Sequence, residues 1–196
     1  MTKGIVSGVV SNMVTLRVDG PVLQGEICYI TTGGDRLMAE VIKVVGSDVY
    51  VQVFESTRGL KVGSEAEFTG HQLEIQLGPG MLSKNYDGLQ NDLDKMDGVF
   101  LRRGQYTAPL DEDRLWDFEP IVKAGDKVEG SAWLGKVEEN HQPLKIMAPF
   151  QMEGIAVVKS IVPAGQYKVN DTIAVLTTEA GEDINVTMVQ RWPVKF

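Results

Sequence analysis

A chain of 196 residues, 43% hydrophobic and 23% charged, can bury one large or two small cores without covalent staples, which excludes wholesale disorder. Its formal net charge of −8 repels phosphate backbones and anionic lipid, so neither nucleic acid nor direct membrane contact is expected, and no run of about 18 apolar residues occurs to span a bilayer. The single cysteine, Cys28, excludes an intrachain disulfide and a cysteine-built zinc site and suits a reducing cytoplasm.

The amino terminus, MTKGIVSGVV, alternates apolar residues with Gly and Ser and does not read as a secretory signal. From Gly4 to Phe68 short runs follow one another: GIVSGVV, MVTLRV, GEICYI, RLMAEVIKVV, DVYVQVF and SEAEF. They alternate apolar with polar residues, and turn chemistry separates them at Ser11-Asn12, Asp19-Gly20-Pro21, Gly33-Gly34-Asp35 and Gly46-Ser47-Asp48. Six such strands predict a small closed barrel over residues 1–72, because an open sheet of this size would leave two edges exposed.

Residues 73–107 are expected to hold a linker strand and an amphipathic helix. Gly78-Pro79-Gly80 punctuates the chain, and from Met81 onward Leu82, Tyr86, Leu89, Leu93 and Met96 recur at three- and four-residue spacing, as on one face of a packing helix. Residues 108–190 form a second β-rich region, with turns at Gly125-Asp126, Gly130-Ser131, Asn140 to Pro143, Pro163-Ala164-Gly165 and Gly181-Glu182-Asp183. Within it, VKAGDKVEGSAWLGKVEE and SIVPAGQYKVNDTIAVL share an order of turn and strand, which predicts two related halves packed face to face as a flattened sandwich. Residues 191–196 start a link out of this region. The predicted fold class is therefore mainly β: a six-stranded barrel, one short helix, and a barrel-sandwich-like second domain.

No catalytic constellation is expected. The phosphate-loop pattern GxxxxGK[ST] does not occur; RGLKVGS and WLGKVEE come nearest and lie in strand-turn contexts. His71 and His141 are far apart and lack companions at metal-ligand spacing. Cys28 lies in an alternating strand, where a small buried hydrophobe is its role. The acidic runs Asp111-Glu112-Asp113 and Glu138-Glu139 read as solvated faces.

The segment ESTRGLKVG (Glu55 to Gly63), followed by QLGPGMLSKNYDGLQ (Gln76 to Gln90), resembles the end of the N-terminal barrel and then the barrel exit and first helix in nucleotide-binding subunits of rotary ATPases. The β-rich insertion carrying WDFEPIVKAGDKVEGSAWLGKVEE, LKIMAP and MVQRWPVKF (Met188 to Phe196) is similar to that of vacuolar and archaeal A (alpha) subunits, which insert such a domain before the phosphate loop. The chain departs from the family pattern at Asn91-Asp92-Leu93, where an Arg-Pro-Leu is usual, so a helix running through without proline is expected. The resemblance implies an N-terminal, non-catalytic part of the subunit. Its nucleotide-binding domain, and with it the Mg-ATP of the full-length protein and the ATPase activity coupled to proton or sodium transport, would lie beyond Phe196. No cofactor or metal is expected here, and the part alone should be inactive.

By the same resemblance, the barrel would sit in a collar alternating with B subunits in a hexamer, with Val14, Leu16, Tyr50 and Val51 as candidate contact residues. The inserted domain would project toward the peripheral-stalk subunits, its Asp111 to Asp113 turn meeting basic residues in a salt-sensitive contact. Gly78, Pro79, Gly80, Asp87 and Gly88 would form the structural link, and the whole would be cytoplasmic and peripheral to the membrane. VKAGDKVEG and IMAPFQMEGIAVVKSIVPAGQYKVNDTIAVL are also similar to biotinyl and lipoyl carrier domains. A carrier, or a stand-alone β-rich interaction module, is therefore the alternative. Against the carrier, the expected tip, Asn140-His141-Gln142-Pro143, holds no lysine, and Lys145 lies past it in the next strand.

Overall fold

The computed structural model describes residues 2–96 and 102–194. Among the described residues, sixteen strands and a single 3-10 turn make up the regular structure. The chain divides into two compact units, the first Met1–Ile75 with Lys95–Thr107 and Pro193–Phe196, the second Gln76–Asp94 with Ala108–Trp192. Of the expected link at 191–196, Lys195 and Phe196 lie outside the described residues.

The first unit is built on β1 (Lys3–Val10), β2 (Met13–Val18), β3 (Glu26–Thr32), β4 (Asp35–Val45), β5 (Asp48–Val53) and β6 (Glu65–Gln72). They close in the order β1-β2-β5-β4-β3-β6, with β6 pairing back onto β1, so the predicted six-stranded barrel forms and its backbone edges are all paired. Alternation decides what faces in: Val6, Val14, Leu16, Cys28, Ile30, Leu37, Ala39, Val41, Val49, Val51, Val53, Ala66 and Phe68 share one buried core. Register shifts at Val6/Gly8, Glu26/Cys28 and Val41/Lys43 bend the strands enough for closure.

This corrects the expected contact residues. Val14, Leu16 and Val51 are buried in the barrel interior, because the apolar face of a strand in a closed barrel turns inward. Of the four, Tyr50 alone reaches the surface, at 36% exposure.

A two-stranded ribbon pairs β7 (Glu74–Leu77) with β16 (Gln190–Pro193). The second unit consists mainly of β8 (Leu115–Pro120), β9 (Lys127–Glu129), β10 (Trp133–Glu139), β11 (Gln142–Met147), β12 (Ile155–Ile161), β13 (Gly165–Lys168), β14 (Ala174–Thr178) and β15 (Asp183–Val186). They form two four-stranded sheets, ordered β11-β10-β8-β13 and β15-β14-β12-β9. The two halves seen in the sequence are real, but they interlock rather than lie face to face. Each half puts three strands into one sheet and lends its second strand, β9 or β13, to the other. The reason is local: each half turns sharply at a Val-x-Ala-Gly string, Val122 to Gly125 and Val162 to Gly165. At that turn the chain leaves one sheet and enters the other. Two apolar clusters fill the unit, one around Trp116, Phe118, Ile146 and Ile173, the other around Leu134, Val158 and Leu176.

The helix expected from Met81 is absent. Its only helical turn is the 3-10 piece Leu93–Lys95, and Tyr86 instead makes an isolated bridge with Asp92. Ser83 and Gln90 hold φ of 63° and 61°, in the left-handed region that no helix tolerates. The Asp87 carboxylate accepts N–H bonds from Leu89 and Asn91 at 2.9 and 2.8 Å, capturing donors a helix would have used. Leu82 and Leu93 consequently end up exposed rather than on a packed face.

Candidate functional site

The residues expected to form the structural link gather in one ordered loop of the second unit. Gly78 is closely packed: a Cβ there would stand 3.2 Å from Leu110 Cδ1 and 3.2 Å from the Met188 carbonyl. Pro79 is buried. Gly80 takes φ of 102°, a conformation available to glycine almost alone. Its N–H and that of Leu82 both donate to Glu139 Oε1, at 2.9 and 3.0 Å.

Glu139 therefore departs from the solvated role expected of the Glu138-Glu139 run. It is only 4% exposed, because the alternation of β10 that turns Val137 inward also turns Glu139 inward while Glu138 faces out. Two backbone donors make that burial tolerable. The signal was present in the sequence: with Val137 in the core, the residue two places on shares its face.

Asp87 organises the rest of the loop. Besides its two backbone bonds, its Oδ2 accepts from Asn91 Nδ2 at 2.9 Å. Gly88 is exposed, with open space where a Cβ would be. Gln90 pairs through its side-chain amide with the Gln76 backbone, accepting its N–H and donating to its carbonyl, each at 2.7 Å. The Tyr86 hydroxyl donates to the Pro109 carbonyl at 2.7 Å, and burial, reinforced by the Asp92 and Glu139 carboxylates, holds that phenol above its ordinary pKa. Asn91 and Asp92 are buried. Asp92 Oδ2 lies 3.3 Å from Lys84 Nζ, and its Oδ1 accepts the Asp94 N–H.

The other singled-out residues are scattered. Cys28 faces the barrel core, where burial, reinforced by the Glu26 carboxylate, pushes its thiol up to about 12. His71 accompanies Glu74 at a half-exposed position, and His141 stands almost fully exposed at the β10–β11 turn beside Glu138. In the acidic run, Asp111 accepts the N–H groups of Asp113 and Arg114, closing its own turn, and Asp113 pairs with Lys168 at 2.8 Å. Among the described residues no group of three or more His, Cys, Asp or Glu is placed to hold a metal ion, and no helix is long and apolar enough to cross a membrane.

The WLGKVEE string comes nearer to a phosphate loop when it is extended back to Gly130. Gly130 to Lys136 has the GxxxxGK spacing, with Val137 where a phosphate loop takes Ser or Thr. The structure makes its last four residues the start of β10, lays the Phe118 ring against Gly135, and pairs Lys136 with Glu119 at 2.7 Å. No helix N-terminus follows to receive a phosphate. The carrier comparison meets a similar obstacle: the tip turn is Asn140-His141, both at positive φ, and Lys145 Nζ rests 4.3 Å from the centroid of the Trp133 ring.

A β-barrel followed by a barrel-sandwich is also the order of domains that the comparisons find. The family model for the ATP synthase alpha/beta family beta-barrel domain matches residues 6–70, and that for the ATP synthase alpha/beta subunit barrel-sandwich domain matches residues 107–195. The chain belongs to the ATP synthase alpha/beta family. Within it, the chain is similar to proteins named V-type ATP synthase alpha chain. It is 44% identical to that of Treponema denticola over 197 residues, 99% of this chain and 33% of that protein. It is 43% identical to that of Borreliella afzelii over 198 residues, 100% of this chain and 34% of that protein. To that of Borrelia hermsii it is 44% identical over 197 residues. The chain thus spans about a third of the length of the curated relatives it matches.

Proposed function

We propose that this chain is a non-catalytic, N-terminal part of the alpha (A) subunit of a V-type rotary ATPase, its barrel serving in a collar where alpha and B subunits alternate around the head. The ATP-binding and ion-translocating activity belongs, on this reading, to the whole protein, peripheral to the membrane on its cytoplasmic side. The observation that carries the collar role is the barrel surface. With every strand paired, a neighbour cannot be recruited by strand addition, so association must use side chains. Ile42, Val44, Val45 and Tyr50, on the neighbouring strands β4 and β5, are between 36% and 50% exposed. Such an apolar group suits a permanent subunit contact. The test replaces Val44 and Val45 together by Asp in the full-length subunit and co-expresses it with B. Native mass spectrometry is expected to lose the alpha–B ring while circular dichroism reports an intact barrel. An unchanged ring would overturn this assignment of the surface.

For the second unit we propose proximity to the peripheral-stalk subunits. On the exposed acidic turn Glu112 is the residue offered to a basic partner, with Asp111 holding the turn's shape and Asp113 paired to Lys168. Association measured between full-length alpha and the stalk subunits should weaken as salt rises; indifference to ionic strength would remove the acidic turn from the contact.

A further inference from the structure

Where β5 ends at Val53, the barrel ladder should fail. Phe54 N–H still donates to the Met38 carbonyl, at 3.1 Å, but the Met38 N–H loses its strand partner. It donates instead to the hydroxyl of Tyr106, at 2.9 Å, and that hydroxyl donates in turn to Glu55 Oε2 at 3.2 Å. A side chain far along the chain has taken the next rung.

Its neighbours do the same around it. Gly104 N–H donates to Glu55 Oε1 at 3.1 Å. Arg103 reaches Asp35 Oδ2 through both Nε and Nη2, at 3.0 and 2.6 Å, and its Nη1 donates to the carbonyls of Ser56 and Arg58. The backbone approaches closely: at Gly104, with φ of 71°, a Cβ would stand 3.1 Å from Asp35 Cβ and 3.3 Å from the Arg36 nitrogen. The Tyr106 ring meets Tyr29 edge to face at 6.1 Å, and Arg36 covers the other aromatic at 4.0 Å. Met38, on the outward side of β4, is in consequence only 8% exposed.

We propose that Arg103–Tyr106 is a latch, separable from the barrel's own folding, that fixes the loop running from Glu55 to Gly63 against the β3–β4 turn. Three features single it out from ordinary packing. It joins the loop carbonyls, a loop carboxylate, the turn carboxylate and one orphaned strand N–H, all through four consecutive residues. It uses an Arg fork where carbonyl and carboxylate acceptors converge, which Lys could not serve in the same geometry. And it leaves the barrel core untouched, since none of its residues belongs to that core. Burial holds the Tyr106 phenol well above its ordinary pKa, so it remains a donor to Glu55 at neutral pH and beyond. The inference does not depend on the collar reading: it concerns what holds the loop, whatever the barrel docks against.

Hydrogen exchange on the full chain tests it, read at the amides of Met38, Phe54 and Leu60. Arg103→Ala should speed exchange at Phe54 and Leu60 about tenfold, as expected for losing charged hydrogen bonds, while amides of β1, β2 and the second unit keep their wild-type rates. Tyr106→Phe, which removes one hydroxyl and is expected to fold normally, should raise the rate at Met38 by a similar factor. Wild-type rates at these amides in both variants would overturn the latch. So would uniform acceleration throughout the barrel, because the segment would then be part of its cooperative core.

Discussion

At the scale of single residues, two positions set contrasting demands. Gly80 is bound by its backbone rather than by its space: with φ of 102°, a Cβ would meet only Trp116 Cζ2, at an ordinary 3.5 Å. Replacing it by valine should therefore cost about 1–3 kcal/mol through backbone strain, seen as a lowered melting temperature of the second unit. An unchanged melting temperature would mean that the loop can adopt another path. The exposed pair Lys168–Asp113 sets a milder demand. Its hydrogen bond and charge hold the Asp113 carboxyl below the ordinary carboxylate range. The contribution is thus present above the unfolded value and lost as pH falls through the lower folded one. In an NMR titration, Lys168→Met should move the Asp113 midpoint upward; full exposure makes the accompanying stability change small.

At the scale of elements, Gly135 decides how β10 and β8 can pack. A Cβ there would lie 2.2 Å from Phe118 Cε2 and 2.8 Å from the Glu119 carbonyl, so Gly135→Ala must displace the ring and the neighbouring strand together. A loss of about 2 kcal/mol is expected from such overpacking, measured by denaturant unfolding. Much of this architecture was legible. Alternation along β2 and β5, and turns rich in Gly, Asn and Asp, announce the barrel because side-chain period and turn chemistry are local properties. The exchange of β9 and β13 was not legible, since a repeat reveals likeness between halves but not which strand pairs with which. The false helix had a simpler cause: Leu82, Tyr86, Leu89 and Leu93 have the right spacing, but spacing does not register that Asp87 and Gly88 prefer turns. In the link loop, Gly78, Pro79, Gly80 and Asp87 could be picked from their turn chemistry, whereas the Glu139 anchor comes from far along the chain and only the fold brings it there.

At the scale of the whole molecule, each unit carries its own apolar core, and only one of them contains a thiol. Cys28 is fully buried and, with its pKa pushed up to about 12, scarcely ionised at neutral pH. An alkylating reagent can therefore reach it only when the barrel opens. The wild-type protein thus comes with a built-in clock. The rate at which a maleimide marks the one thiol of these 196 residues counts openings of the barrel, with no probe introduced.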